Sequence, residues 1–121
     1  MAKLILPLPP KELKVNRALG VHWGSTRPFR KAYQLQVAVA ARAQRAVWEG
    51  KPQPYPVAVR VVAYLGKGQR CDISDLGSWT KGLWDALIAV GVWRDDGSKF
   101  LRPMTFDVAR DAANPRVEVV W

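Results

Sequence analysis

The chain has one cysteine and one histidine in 121 residues. A single cysteine excludes an internal disulfide and a cysteine-built zinc site. No run of about eighteen apolar residues occurs, so no segment reads as a transmembrane helix. The opening MAKLILPLPP is too short and too proline-rich for a secretion signal. These absences lead us to expect a cytoplasmic protein with no membrane partner. Acid is scarce too: ten Asp and Glu face nineteen Lys and Arg, a formal net charge of +9.

What is present is unevenly placed. Residues 1–60 hold eleven of the Lys and Arg but only two acids, Glu12 and Glu49, whereas residues 61–121 hold eight of each sign. A basic half joined to a neutral half with clustered acids points to a polyanion held by the first and worked on by the second. The plain alternative is a basic surface that serves solubility alone. The length suits one domain with one core. Six tryptophans are more than such a domain needs for packing.

Read in order, the pattern predicts β-α-β-α-β-β, an α+β domain with a small mixed sheet and two helices packed on it. Lys3 to Leu8 is a strand stopped by Pro9-Pro10. Residues 11–27 have no clear period and form a long loop carrying Lys11, Lys14, Arg17 and Arg27. Within it, Asn16-Arg17 and His22-Trp23 are groups that grip phosphates or stack on bases. Ser25 or Thr26 would cap a helix whose first turn holds Pro28 and which runs to Glu49. Its apolar stripe is Ala32, Leu35, Val39, Ala43, Ala46 and Val47, with Gly50 as its stop. Arg30, Lys31, Arg42 and Arg45 ride this helix, either as a solvated face or, from its first turn, as phosphate contacts. Val57 to Leu65 alternates as a strand does. A second helix follows Asp75, burying Trp79, Leu83, Leu87 and Val90 and ending at Gly91. Lys99–Val108 and Arg116–Trp121 are two more strands, expected as a hairpin around DAANP.

Gln69 to Asp96 holds five of the ten acids: Asp72, Asp75, Asp85, Asp95 and Asp96. A hard divalent cation such as Mg²⁺, with Mn²⁺ as substitute, needs oxygen ligands and offsets the repulsion of gathered carboxylates. Asp72 and Asp75 precede the second helix and Asp96 follows it. At about 15 residues that helix is ~22 Å long, so Asp96 reaches Asp72 only if the chain doubles back after Val92. The three carboxylates would then hold an ion that polarises a phosphodiester and supplies hydroxide, with Lys81 steadying the phosphate or leaving group. Plainer readings stand beside this. Asp75 or Ser74 serves as an N-cap, Asp95-Asp96-Gly97 as an ordinary turn, and Lys81 with Asp85 as a surface pair. His22 alone suits stacking better than ligation, and Cys71 has no partner histidine for nucleophilic work.

At these residues the chain resembles the RusA-type Holliday junction resolvases. LPLPP followed by Asn16-Arg17 and, later, Tyr33 is similar to that family's N-terminal PP…N…Y pattern. Lys81-Gly82-Leu83-Trp84-Asp85-Ala86-Leu87, then Gly91-Val92-Trp93-Arg94-Asp95-Asp96, is similar to its KxxxDAL…GxWxDD signature. The resemblance implies metal-binding acids from a DxDN-type motif and from the second Asp of the later pair, with an assisting helix lysine. Asp96 and Lys81 match directly. The first motif departs: either Asp72 stands first, with Ser74 in the second place and three extra residues before Lys81, or Asp75 stands first and Gly77 replaces a carboxylate. RCDIS favours the former. The implied function is a Mg²⁺-dependent endonuclease resolving four-way DNA junctions by paired symmetric cuts. Two cuts on a two-fold substrate call for a homodimer. Asp72, Asp75, Asp96 and Lys81 would carry the chemistry. Asn16, Arg17, His22, Trp23, Arg27, Arg30, Lys31 and Arg70 would meet DNA. Other readings are a branched-DNA-binding relative weakened in catalysis by its altered first motif, and an RNA or single-strand binding module that stacks bases on tryptophan.

Overall fold

A computed structural model describes residues 1–14, 23–51 and 54–121, with the backbone alone for 23–25. At its centre lies β2 (Val57–Leu65), whose Val57, Val59, Val61, Ala63 and Leu65 are all buried. Alternation of β-branched residues along nine positions buries one face against the helices, as the pattern predicts. Around it, β1 (Lys3–Leu6), β3 (Leu101–Arg110) and β4 (Arg116–Val120) complete a four-stranded mixed sheet in the order β1-β4-β2-β3. The α+β class is as expected.

The pairing of the last two strands is not. β3 and β4 form no hairpin: β4 lies antiparallel between β1 and β2, while β3 runs parallel to β2 on its far side. Val117 and Val119 are fully buried, a demand met by a position inside the sheet. DAANP therefore crosses the end of β2, where the Asp111 N–H donates to the Leu65 carbonyl at 2.9 Å. β3 is an edge strand and carries Pro103 at a register shift opposite Val57–Val59. An edge strand with a bulge is where a residue without an N–H fits.

The first long helix, α1, spans Trp23–Ala43 and begins five residues before Pro28, which thus lies inside it. Its buried row is Tyr33, Val37 and Ala41. The row expected from the sequence faces solvent instead, with Leu35 65% and Val39 58% exposed. Alanine-rich helices offer two apolar rows, and close packing chose between them. Gly82 presents only hydrogen to α1, and a Cβ there would sit 3.5–3.7 Å from Gln34, Tyr33 and Arg30. Tyr33 also donates its hydroxyl to the Pro7 carbonyl at 2.9 Å, fixing the strand exit against α1. A short 3-10 turn at Arg45–Val47 follows, and Gly50 takes φ +70° in the turn beyond.

The second predicted helix is two: α2 (Ile73–Trp79) and α3 (Lys81–Val90). Thr80 separates them, fully buried, its hydroxyl bonded to the Leu76 carbonyl at 2.8 Å. A threonine that back-bonds to the carbonyl four residues earlier bends a helix. Trp79, Leu83 and Leu87 are buried as expected. Gly91 ends α3 at φ +97°, with its own N–H on the Ile88 carbonyl and that of Val92 on Leu87. That is a Schellman cap, and it needs glycine.

Candidate functional site

The site is built on the segment that leaves β2. Gly66 to Arg70 is clamped from three sides. The Gln69 side chain accepts the Gly66 N–H at 2.6 Å. Arg110 donates to the Gly66 and Gln69 carbonyls at 2.8 and 3.1 Å, and Lys14 donates to the Arg70 carbonyl at 2.5 Å. Charged donors on backbone carbonyls hold a loop more firmly than neutral ones.

That loop delivers Asp72 to the N-cap of α2, in extended backbone (φ −75°, ψ 145°) and with no side-chain cap bond. Its exposed carboxylate is therefore not used in capping, contrary to the usual employment of aspartate there. Asp75 follows in the first turn. The Asp75 N–H donates to the Asp72 carbonyl at 3.0 Å, so both carboxylates are borne by the opening turn of α2. Just before Asp72 is the half-buried Cys71. Burial pushes its thiol up, Lys14 pulls it down, and the Asp75 and Asp72 carboxylates push it up again. Lys14, Asp72 and Asp75 thus each lie within electrostatic reach of the Cys71 thiol.

Asp96 is elsewhere. It lies in the turn before β3, exposed, its N–H on the Asp95 carboxylate at 2.8 Å. Asp95 is thereby employed as an ordinary turn residue. Next to them the Arg94 N–H donates to the Tyr55 hydroxyl at 3.1 Å, and the Val57 N–H donates to the Phe100 carbonyl at 2.7 Å. These contacts place Asp96 near the start of β2, whereas Asp72 and Asp75 follow the loop that leaves its end. β2 alone is about 26 Å from Val57 to Leu65 at ~3.3 Å per residue. The chain does not double back along α3, and among the described residues no three Asp, Glu, His or Cys side chains gather as a metal-holding group. Asp72 and Asp75 remain as the pair brought together.

Two carboxylates at a helix start fit Mg²⁺ in one of its common modes, in which one or two carboxylates, several waters and a substrate phosphate complete the octahedron. Lys81 opens α3, exposed. Among the described residues no ion pair joins it to Asp85. Arg30 packs beside the first turn of α3 at Gly82, one residue from Lys81. Arg27 and Lys31 are exposed on the start of α1. Asn16, Arg17 and His22 lie outside the described residues, as does the side chain of Trp23.

Two features escaped sequence reasoning. Lys11 and Lys14 stand with Arg70 around a cleft of about 510 Å³ floored by Trp79. The signal was a KxxK spacing directly after the diproline, lost among other loop cations. Among the described side chains the tryptophans, counted as a surplus, are structural: Trp79, Trp84 and Trp93 are buried, and Trp93 meets Trp84 and Trp121 at 6.0 and 5.0 Å between ring centroids. Trp48 is half-buried, its indole N–H on the Ala41 carbonyl. No protein-family model matches the chain, and no curated protein matches it.

Proposed function

We propose that this protein is a Mg²⁺-dependent endonuclease of the RusA type, acting as a homodimer on four-way DNA junctions. The observation that carries the reading is that one clamped loop, which bears Arg70 and is gripped by Lys14, leads directly into the helix start that bears two free carboxylates, Asp72 and Asp75. A nuclease needs both: anionic oxygens for a metal and positive charge for the phosphate. Bound there, Mg²⁺ supplies Lewis acidity and a water of lowered pKa. The chain's own part is positioning. Asp72 and Asp75 are presented from a clamped turn, so little ordering remains to be done when substrate arrives. Arg30, about two turns into α1, and Lys81, at the start of α3, extend the positive field away from the carboxylates. No helix among the described residues is long and apolar enough to cross a membrane. Burial of Trp79, Trp84 and Trp93 withholds those three rings from base stacking.

A second reading is favoured by one observation. With Asp96 near the start of β2, a single chain presents two carboxylates rather than three, as a branched-DNA-binding relative weakened in catalysis would. One assay separates the readings: a labelled synthetic four-way junction, with and without Mg²⁺, beside linear duplex and single strand. Paired symmetric nicks near the branch point, dependent on metal and lost in Asp75→Asn, are the expected result. Tight junction binding without nicks would replace the enzyme by the weakened relative, and preference for single strands would replace both.

A further inference from the structure

We infer that the cleft between Pro9-Pro10 and the loop at Arg70 is a phosphodiester subsite, gripping the nucleic-acid backbone beside the carboxylates through Lys11, Lys14 and Arg70. The walls are fixed before any ligand arrives. Two prolines have preset backbone, and the Trp79 indole N–H donates to the Pro10 carbonyl at 2.9 Å, tying one wall to α2. The Lys14 ammonium lies 4.8 Å from the centre of the Trp79 ring and 2.5 Å from the Arg70 carbonyl. These contacts hold a cation at the cleft while leaving it a further N–H to donate.

Lys11 and Arg70 are exposed, and among the described residues neither side chain has a hydrogen-bond or ion-pair partner. Among the described residues no Asp or Glu lines the cleft. Three cations line the cleft, and an anion there would accept the N–H groups that Lys11 and Arg70 leave without a partner among the described residues. A carboxylate ligand would satisfy the charge. A phosphodiester is favoured because Arg70 is two residues from Asp72, so a strand held here passes the site of chemistry. The choice of nucleic acid rests on the nuclease reading; capture of a phosphate does not.

The test is binding of labelled four-way junction and linear duplex, in chelator so that cleavage is absent, across a salt series. Lys11→Gln and Arg70→Gln should each lower the slope of log K against log salt by about 0.9, equivalent to about eight-fold in affinity near 0.1 M salt. Lys11→Arg should restore the slope, and thermal melting should stay unchanged in all three. Lys14→Gln also loses its ring and carbonyl contacts, so it is not the deciding variant. Competition by inorganic phosphate, and comparison of 5′-phosphorylated with 5′-hydroxyl strands, separates a terminal from an internal phosphate. Indifference to the 5′ group supports the backbone, and binding only of phosphorylated ends overturns it. Slopes equal to the parent protein's overturn the subsite even where Mg²⁺-dependent cleavage is found. A reduced slope with no cleavage under any metal keeps the subsite and discards the nuclease.

Discussion

Arg116 concentrates more interactions than any other side chain described here. It donates to Glu118 at 2.7 Å and to Asp111 and the Asn114 carbonyl at 2.8 Å, and its guanidinium lies 4.0 Å from the Tyr64 ring centre. The planar fork of arginine suits this and the point charge of lysine does not. The hydrogen bond from Arg116 is the main cause holding the Asp111 carboxyl below its ordinary value. The folded chain therefore gives up that proton at lower pH than the unfolded chain. The resulting stability is fully present above the ordinary aspartate value of about 3.9 and is lost as pH falls through the depressed one. Asp111→Asn should leave a thermal melting curve flatter between roughly pH 5 and pH 2 than the parent's, since the variant has no such group to titrate. An equally steep acid decline in the variant would assign the loss to other carboxylates.

At the scale of elements, α1 is where sequence and structure part most clearly. Ala32, Leu35, Val39 and Ala43 form as regular an apolar row as Tyr33, Val37 and Ala41, and periodicity alone cannot choose between them. The choice came from the partner surfaces: Gly82 on α3 and the Pro7 carbonyl beyond β1 fit the tyrosine row. Urea unfolding checks it. Val37→Ala should cost about 2 kcal/mol as a buried truncation, whereas Leu35→Gln should change stability by no more than about 0.5 kcal/mol. The reverse order would restore the other face to the core. Gln44 shows a second effect that spacing cannot reveal. Its side chain accepts the Ile5 N–H at 2.9 Å and donates to the Ile5 carbonyl at 2.6 Å, occupying the free edge of β1 as a further strand would.

For the whole molecule, the consequence is that its carboxylates occupy two ends of one sheet. In the proposed dimer, the question is whether Asp96 of one chain serves Asp72 and Asp75 of the other. Mixing Asp75→Asn with Asp96→Asn chains tests this directly. If the site is shared across the dimer, each mixed dimer has one intact site and single nicking returns. If Asp96 takes no part, the Asp96→Asn protein cuts by itself, and loss of activity in every mixture would mean that the two residues serve one chain.

What the sequence by itself determined is local: β2 from its alternation, the Gly91 cap from the only residue that tolerates φ +97°, the Trp79-Leu83-Leu87 row from its spacing, and the division between a basic and a carboxylate-bearing half. These follow from neighbours along the chain. The tertiary structure alone decided that β4 enters the sheet between β1 and β2, that α1 buries its tyrosine row, that Thr80 breaks a helix, and that Lys11 and Lys14 meet Arg70. Each of those depends on surfaces distant in sequence coming into contact, and burial of the best-fitting pair, not the period of either segment, selects among choices that the pattern leaves equal.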